Sequence, residues 1–356
     1  MARMCALFLV AWLVAPATGR PKGLHDDYPA TSVVQAFRPA VERYEFTQPH
    51  MGTQVRIVLY APTAGAAADA SQAAFARIRQ LDDELSDYRE SSELMRLSRQ
   101  AGSGPVKVSD DLFRVLRAAQ QLSRRSDGAF DVTVGPLSVI WRRARRLAEM
   151  PDAAQLADAR RAVGADKLEL DDDRRTARLL VPGMRLDLGG IAKGFAAQEA
   201  AGVMRDRGVG AALVAAGGDI VVTGPPAGAE GWRVAIASGV DASPAGYLTL
   251  HHAAVSTSGD AAQFVVFGGV RYSHIIDPRT GMAIAGRSSA TIVAPDGTTA
   301  DGLATACSVL GWAKGLRLVD ATPGAAGLVL EATADGVRAY ESARWNRPPS
   351  TIAMSH

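Results

Sequence analysis

Four short stretches hold residues whose types and spacing could do chemistry. Thr298 to Ala306 reads TTADGLATA, with Asp301 and Thr305 four apart and so on one face of a helix. A carboxylate beside a hydroxyl suits a hard, oxygen-seeking cation such as magnesium. The same pair also suits ordinary helix duties, the Asp as a cap and the Thr bonded to a backbone carbonyl. Asp187 to Gly194 reads DLGGIAKG and joins a strand end to a helix start. Its glycines let backbone approach a ligand, and amides at a helix N-terminus together with Lys193 favour an anion. A glycine turn capped by Asp187 is the alternative. His274 stands before the turn DPRTG, Asp277 to Gly281, where a general base or a structural histidine could sit. Gly128-Ala129-Phe130-Asp131 forms a further polar glycine turn.

Other chemistries find little support. The Asp187–Gly194 loop lacks the spacing of a Walker A motif and of a dinucleotide fingerprint. No cluster has zinc-ligand spacing, and no Gly-x-Ser-x-Gly elbow occurs. Ala216-Gly217-Gly218-Asp219 and Ser256 to Asp260 read as loop turns offering amides and hydroxyls without a definite reaction.

The elements that must position these residues follow from periodicity. A strand is expected over 55–60 and a helix over about 66–85, with Phe75, Ile78, Leu81 and Leu85 facing a core. Ser109 should cap a second helix, and 138–163 should be helical with a break near Pro151. Eight further short strands are expected at 167–170, 177–180, 212–215, 232–237, 247–250, 264–267, 290–293 and 328–331, with helices after Gly190 and Ala300. Strand runs with interspersed helices predict an α+β fold, a mixed and largely antiparallel sheet with flanking helices.

The 356 residues are 47% hydrophobic, enough to bury a sizeable core. A formal charge of +2 with no basic stripe gives no footprint for nucleic acid. The densest basic run, Arg142 to Arg146, is expected on a solvated helix face. Arg3, the apolar run Cys5–Ala15 and the small residues Ala15, Ala17 and Gly19 read as a signal peptide over 1–19. The expected organisation is this signal, an irregular Pro-containing arm over 20–44, one domain over 45–345 and a tail over 346–356. With the signal removed, Cys307 is the single cysteine, so no internal disulfide is expected.

Taken in order, Gly128 to Leu137, Asp187 to Gly194, His274 to Gly281 and Ala300 to Ala306 resemble the FAD:protein FMN transferases, the ApbE family. The resemblance runs from Met51 to about Leu318. It implies a T-fold-related architecture, with 45–345 as an FAD-binding transferase domain. It implies FAD contacts at Met51, Tyr88, Ala129, Phe130, Asp131, Asp187, Lys193, His274 and Ile275. It implies magnesium held by the Gly190 carbonyl, Asp301 and Thr305, and catalytic roles for His274 and Lys193. The implied reaction moves FMN from FAD to a threonine of an acceptor flavoprotein and releases AMP. The implied acceptor is a subunit of a membrane electron-transfer complex or a related extracytoplasmic flavoprotein, which places the protein in the periplasm or otherwise outside the cytoplasm. Cys5 stands at the start of the apolar run and not at its end, so the family's lipid-attachment cysteine has no counterpart, which counts against a lipid anchor. The competing readings are an FAD pyrophosphatase, giving FMN and AMP, and a non-catalytic flavin carrier.

Overall fold

The computed structural model describes residues 41–237, 244–259, 264–345 and 352–355. The expected signal and most of the arm lie outside the described residues. Among the described residues are seven α-helices: α1 Ala64–Leu85, α2 Glu93–Arg99, α3 Asp110–Arg125, α4 Gly135–Leu147, α5 Ala153–Arg160, α6 Ala192–Asp206 and α7 Gly297–Asp320. They pack about an eight-stranded antiparallel sheet. Its spatial order is Glu42–His50, Thr53–Ala61, Ala212–Ala216, Asp219–Val222, Ala253–Gly259, Ser288–Ala294, Ala326–Thr333 and Gly336–Glu341. The α+β expectation holds.

The central strands of the sheet are buried on both faces, and the alternation of their side chains shows how. Val55, Ile57 and Leu59 join Ala212, Val214 and Ile292 in a core with α1, α3, α6 and α7. Val58, Leu213, Ala215 and Val293 point the other way, onto Trp232, Val234, Ile236 and Leu248. These last four belong to a second sheet, Trp232–Ala237, Pro244–Leu250 and Ile352–Ser355. Two-sided burial is why Ala212–Ala216 reads as an unbroken apolar run, fully buried along its length. A third sheet, Phe264–Phe267, Val270–Ile276 and Ala283–Ala285, packs through Ile276 and Ala283 against Leu137, Trp141 and Leu156 of α4 and α5.

Several helix starts are fixed locally. Ser109 Oγ accepts the Leu112 amide at 3.2 Å and caps α3, as expected. Asp296 Oδ1 accepts the Thr299 amide at 2.8 Å and caps α7. The expected helix over 138–163 is realised as α4 and α5, divided near Pro151. Gly311 interrupts α7 with φ 73°, a kink between two helical segments.

Candidate functional site

The site is assembled where the first turns of α6 and α7 touch. A Cβ on Gly194 would lie 2.1 Å from the Gly297 carbonyl oxygen and 2.7 Å from Asp301 Cβ. Only glycine permits that approach. It lets the Gly194 amide donate to Asp301 Oδ2 at 3.0 Å, so a carboxylate from α7 occupies the N-terminal turn of α6. Asp301 is 3% exposed. Burial, and after it the neighbouring Asp219, push its carboxyl up to about 7, against the pull of Lys193 and the amides of Gly194 and Lys193.

Lys193 Nζ lies 3.0 Å from Asp219 Oδ2 and 3.9 Å from Asp301 Oδ2, and donates to the Gly189 carbonyl at 3.1 Å. Burial works against the ammonium charge, yet Asp301 and Asp219 outweigh it and hold Lys193 above its ordinary value. Asp219 is itself buried and accepts the Ser256 hydroxyl at 2.5 Å. The Asp187–Gly194 loop therefore carries a cation fixed between two carboxylates.

Gly190 and Thr305 meet closely. A Cβ on Gly190 would come within 2.7 Å of Thr305 Oγ1. Asp301, Thr305 and the Gly190 backbone thus bring a carboxylate, a hydroxyl and a glycine loop to one place. All the donors are oxygens, which fits magnesium rather than a softer metal. Asp301 does not cap its own helix, where Asp296 does so; the amide it accepts, that of Gly194, belongs to α6.

Asp187 connects this cluster to a second group of expected site residues. Its amide donates to the Val132 carbonyl at 2.8 Å, joining the loop to the Gly128–Val134 turn. Its Oδ1 accepts the Gly189 amide at 2.9 Å, and its Oδ2 accepts Arg142 at 2.9 Å. In the turn, Asp131 accepts the Thr133 amide and hydroxyl at 2.8 and 2.7 Å. Burial raises the Asp131 carboxyl against those two bonds. Ala129 and Phe130 are buried, and Phe130 lies in the main core, so their side chains face inward.

Met51 forms the tight turn between the first two strands, with φ 50° and its amide on Asp82 Oδ2 at 3.2 Å. His274 sits half-buried in the strand Val270–Ile276, between buried Ser273 and Ile275. Pairing to Ala283–Ala285 slips between Tyr272 and Ile276, so the segment with His274 at its centre bulges. Bulges re-aim side chains next to active sites. The following turn is anchored from α4, where the Trp141 indole donates to the Gly281 carbonyl at 2.9 Å.

Two features escaped the sequence reading. The Arg142–Arg146 run is not wholly solvated: Arg143 and Arg146 are exposed, while Arg142 reaches inward to Asp87 and Asp187. Asp219, taken as part of a loop, begins a strand, because Gly217-Gly218 is the two-residue turn of a hairpin. A Gly-Gly pair between two apolar runs is the signal that would have found it.

The sequence matches the ApbE family over residues 51–329, and the chain belongs to that family. Among its relatives is the FAD:protein FMN transferase of Treponema pallidum, 34% identical over 304 residues, covering 81% of this chain and 84% of the relative. The FAD:protein FMN transferase of Vibrio cholerae is 34% identical over 312 residues, covering 86% and 92%. The solved flavin transferase ApbE from Vibrio cholerae superposes with a TM-score of 0.77 at 30% identity, over 87% of this chain and 100% of that one. The apo flavinyl transferase ApbE of Pseudomonas stutzeri gives 0.77 at 29% identity, over 86% and 96%.

Proposed function

We propose that the protein transfers FMN from FAD to a threonine hydroxyl of an acceptor flavoprotein. Family membership supplies the reaction class. The observation that carries the reading to this chain is the joining of Lys193, Asp219, Asp301 and Thr305 at the touching starts of α6 and α7.

The chemistry is a phosphoryl-type transfer. The acceptor oxygen attacks the FMN phosphorus, a new P–O bond forms, and the anhydride bond to AMP breaks. AMP leaves with the bridging oxygen, and the hydroxyl proton passes to His274. His274, on the bulged strand Val270–Ile276, is the residue we assign to that task. Lys193, kept charged by its two carboxylates, offsets phosphate charge. Asp301, Thr305 and the Gly190 carbonyl would hold magnesium, which supplies charge neutralisation at the pyrophosphate and stabilises the departing AMP.

The test is mass spectrometry of a candidate acceptor after incubation with FAD and magnesium. A covalent FMN increment with matching AMP release is expected. FMN and AMP without an increment would make the protein a pyrophosphatase, and FAD bound without AMP release would make it a carrier. The N-terminal pattern supports export to an extracytoplasmic compartment, where electron-transfer flavoproteins could be acceptors. N-terminal sequencing of exported protein should find a start near residue 18 to 20, and a retained Met1 would refute cleavage.

A further inference from the structure

Arg142 engages three groups at once, on segments far apart in the chain. Its Nη2 lies 2.5 Å from Asp87 Oδ2 and 2.9 Å from Asp187 Oδ2. Its Cζ lies 4.2 Å from the centroid of the Tyr88 ring. Asp87 and Tyr88 stand in the turn between α1 and α2, and Asp187 opens the loop before α6. The guanidinium reaches both from α4.

The exposure of these groups is uneven. Tyr88 is 73% exposed, while the Asp87 and Asp187 side chains are 7% and 12% exposed. The ring therefore has little apolar packing to fix it, and the guanidinium supports one of its faces. The other face remains available to a planar ligand. Arg142 also matters electrostatically. Two buried carboxylates side by side would repel a pyrophosphate, and Arg142 offsets them. The other cations facing the cluster are Arg145 and Arg185, and Arg185 is bonded to the Asp87 carbonyl at 3.1 Å. Planarity is what lets one side chain stack on a ring and pair edge-on with carboxylates.

We propose that Arg142 is a positioning residue for FAD, fixing the Tyr88 ring and the Asp187 carboxylate relative to each other before the dinucleotide binds. This rests on the reading of Tyr88 and Asp187 as FAD contacts. Arg142 acts through them and does not itself touch the reacting atoms.

The experiment measures FAD dissociation constants by flavin fluorescence, with melting temperatures, for wild type, Arg142→Met, Arg142→Lys, Tyr88→Ala and the double variant Arg142→Met/Tyr88→Ala. Arg142→Met should raise the dissociation constant roughly tenfold, the scale of a partly desolvated cation–π contact with a charge-assisted bond. Arg142→Lys should fall between the two, because an ammonium cannot stack and bridge together. The double variant should lose less affinity than the two single losses combined, since part of the Arg142 effect runs through that ring. Flavin fluorescence should be quenched less in Arg142→Met than in wild type at saturation. If the effects of the two substitutions simply add, Arg142 is a general staple and the proposal falls. Wild-type affinity in Arg142→Met beside weakened Tyr88→Ala also overturns it, while leaving the FAD site intact. Wild-type affinity in Tyr88→Ala removes the Tyr88 contact and the proposal together. Should Arg142→Met not fold, wild-type affinity and quenching in Arg142→Lys would overturn it equally.

Discussion

Asp87 is a buried acid whose cost can be measured. Burial, and after it the adjacent Asp187, push its carboxyl up to about 6 despite Arg142. In the unfolded chain an aspartate titrates near its ordinary value of about 4. Between those two values the folded state binds more protons than the unfolded one, so raising the pH through this window lowers stability. Below the window the carboxyl is protonated in both states, and above it the loss is complete. Asp87→Asn escapes this loss and can still accept from Arg142. Its melting temperature should gain on wild type as pH rises from about 4 to about 6, with a constant difference at higher pH. A difference independent of pH, or one that shrinks as pH rises, would show that Asp87 is not held protonated. Asp301→Ala tests a second buried acid. It removes one of the proposed magnesium ligands, so the variant should need more magnesium than wild type to reach half its maximal rate. An unchanged magnesium curve would sink the metal assignment. The sequence showed Asp301 and Thr305 because both lie on one helical turn. It could not show Asp87 with Arg142, since 55 residues separate them and neither has a local motif.

At the scale of elements, glycine contacts place the chemistry. Gly194 and Gly297 let two helix starts approach until Asp301 reaches the Gly194 amide. Gly194→Ala should push α6 from α7, because its Cβ would meet backbone rather than a flexible side-chain tip. The expected loss is about 1–3 kcal/mol of stability, as for other overpacked sites. A rise in the magnesium requirement should accompany it, since Asp301 and the Gly190 loop shift together. Wild-type stability by denaturant titration would show that the two helices can part without consequence. Elements with strong local signals were legible: the α3 cap, the break at Pro151 and the strands 232–237 and 264–267 agree with the structure. Two of the missed strands had weak signals of their own. Ala253–Gly259 includes Ser256, Thr257 and Ser258, and Glu42–His50 has one half-exposed face, so their places in the sheet come from tertiary pairing.

Over the whole molecule, two cores on opposite faces of one sheet must supply the stability, and the single cysteine among the described residues reports on them. Cys307 is 1% exposed in α7, and burial pushes its thiol up to about 12. Thiols so placed are inert until exposed, because the thiolate is the reactive species. Cys307 also packs where the two segments of α7 meet: a Cβ on Gly315 would lie 2.4 Å from its sulfur. The kink at Gly311 stands between them, and opening there would uncover the thiol without unfolding the sheet. Labelling with a chromogenic disulfide reagent, in a chain carrying Cys5→Ser, separates the two routes. If the kink stays closed, native protein should label no faster than it unfolds globally, and unfolded protein should label at once. FAD should then slow labelling, since a ligand bound only by the native state lowers the population of the open one. Fast labelling in native buffer would instead reveal local opening of α7 at Gly311. Because Asp301 and Thr305 lie on the segment before that kink, such opening would let the end of α7 move while these two residues stay in place.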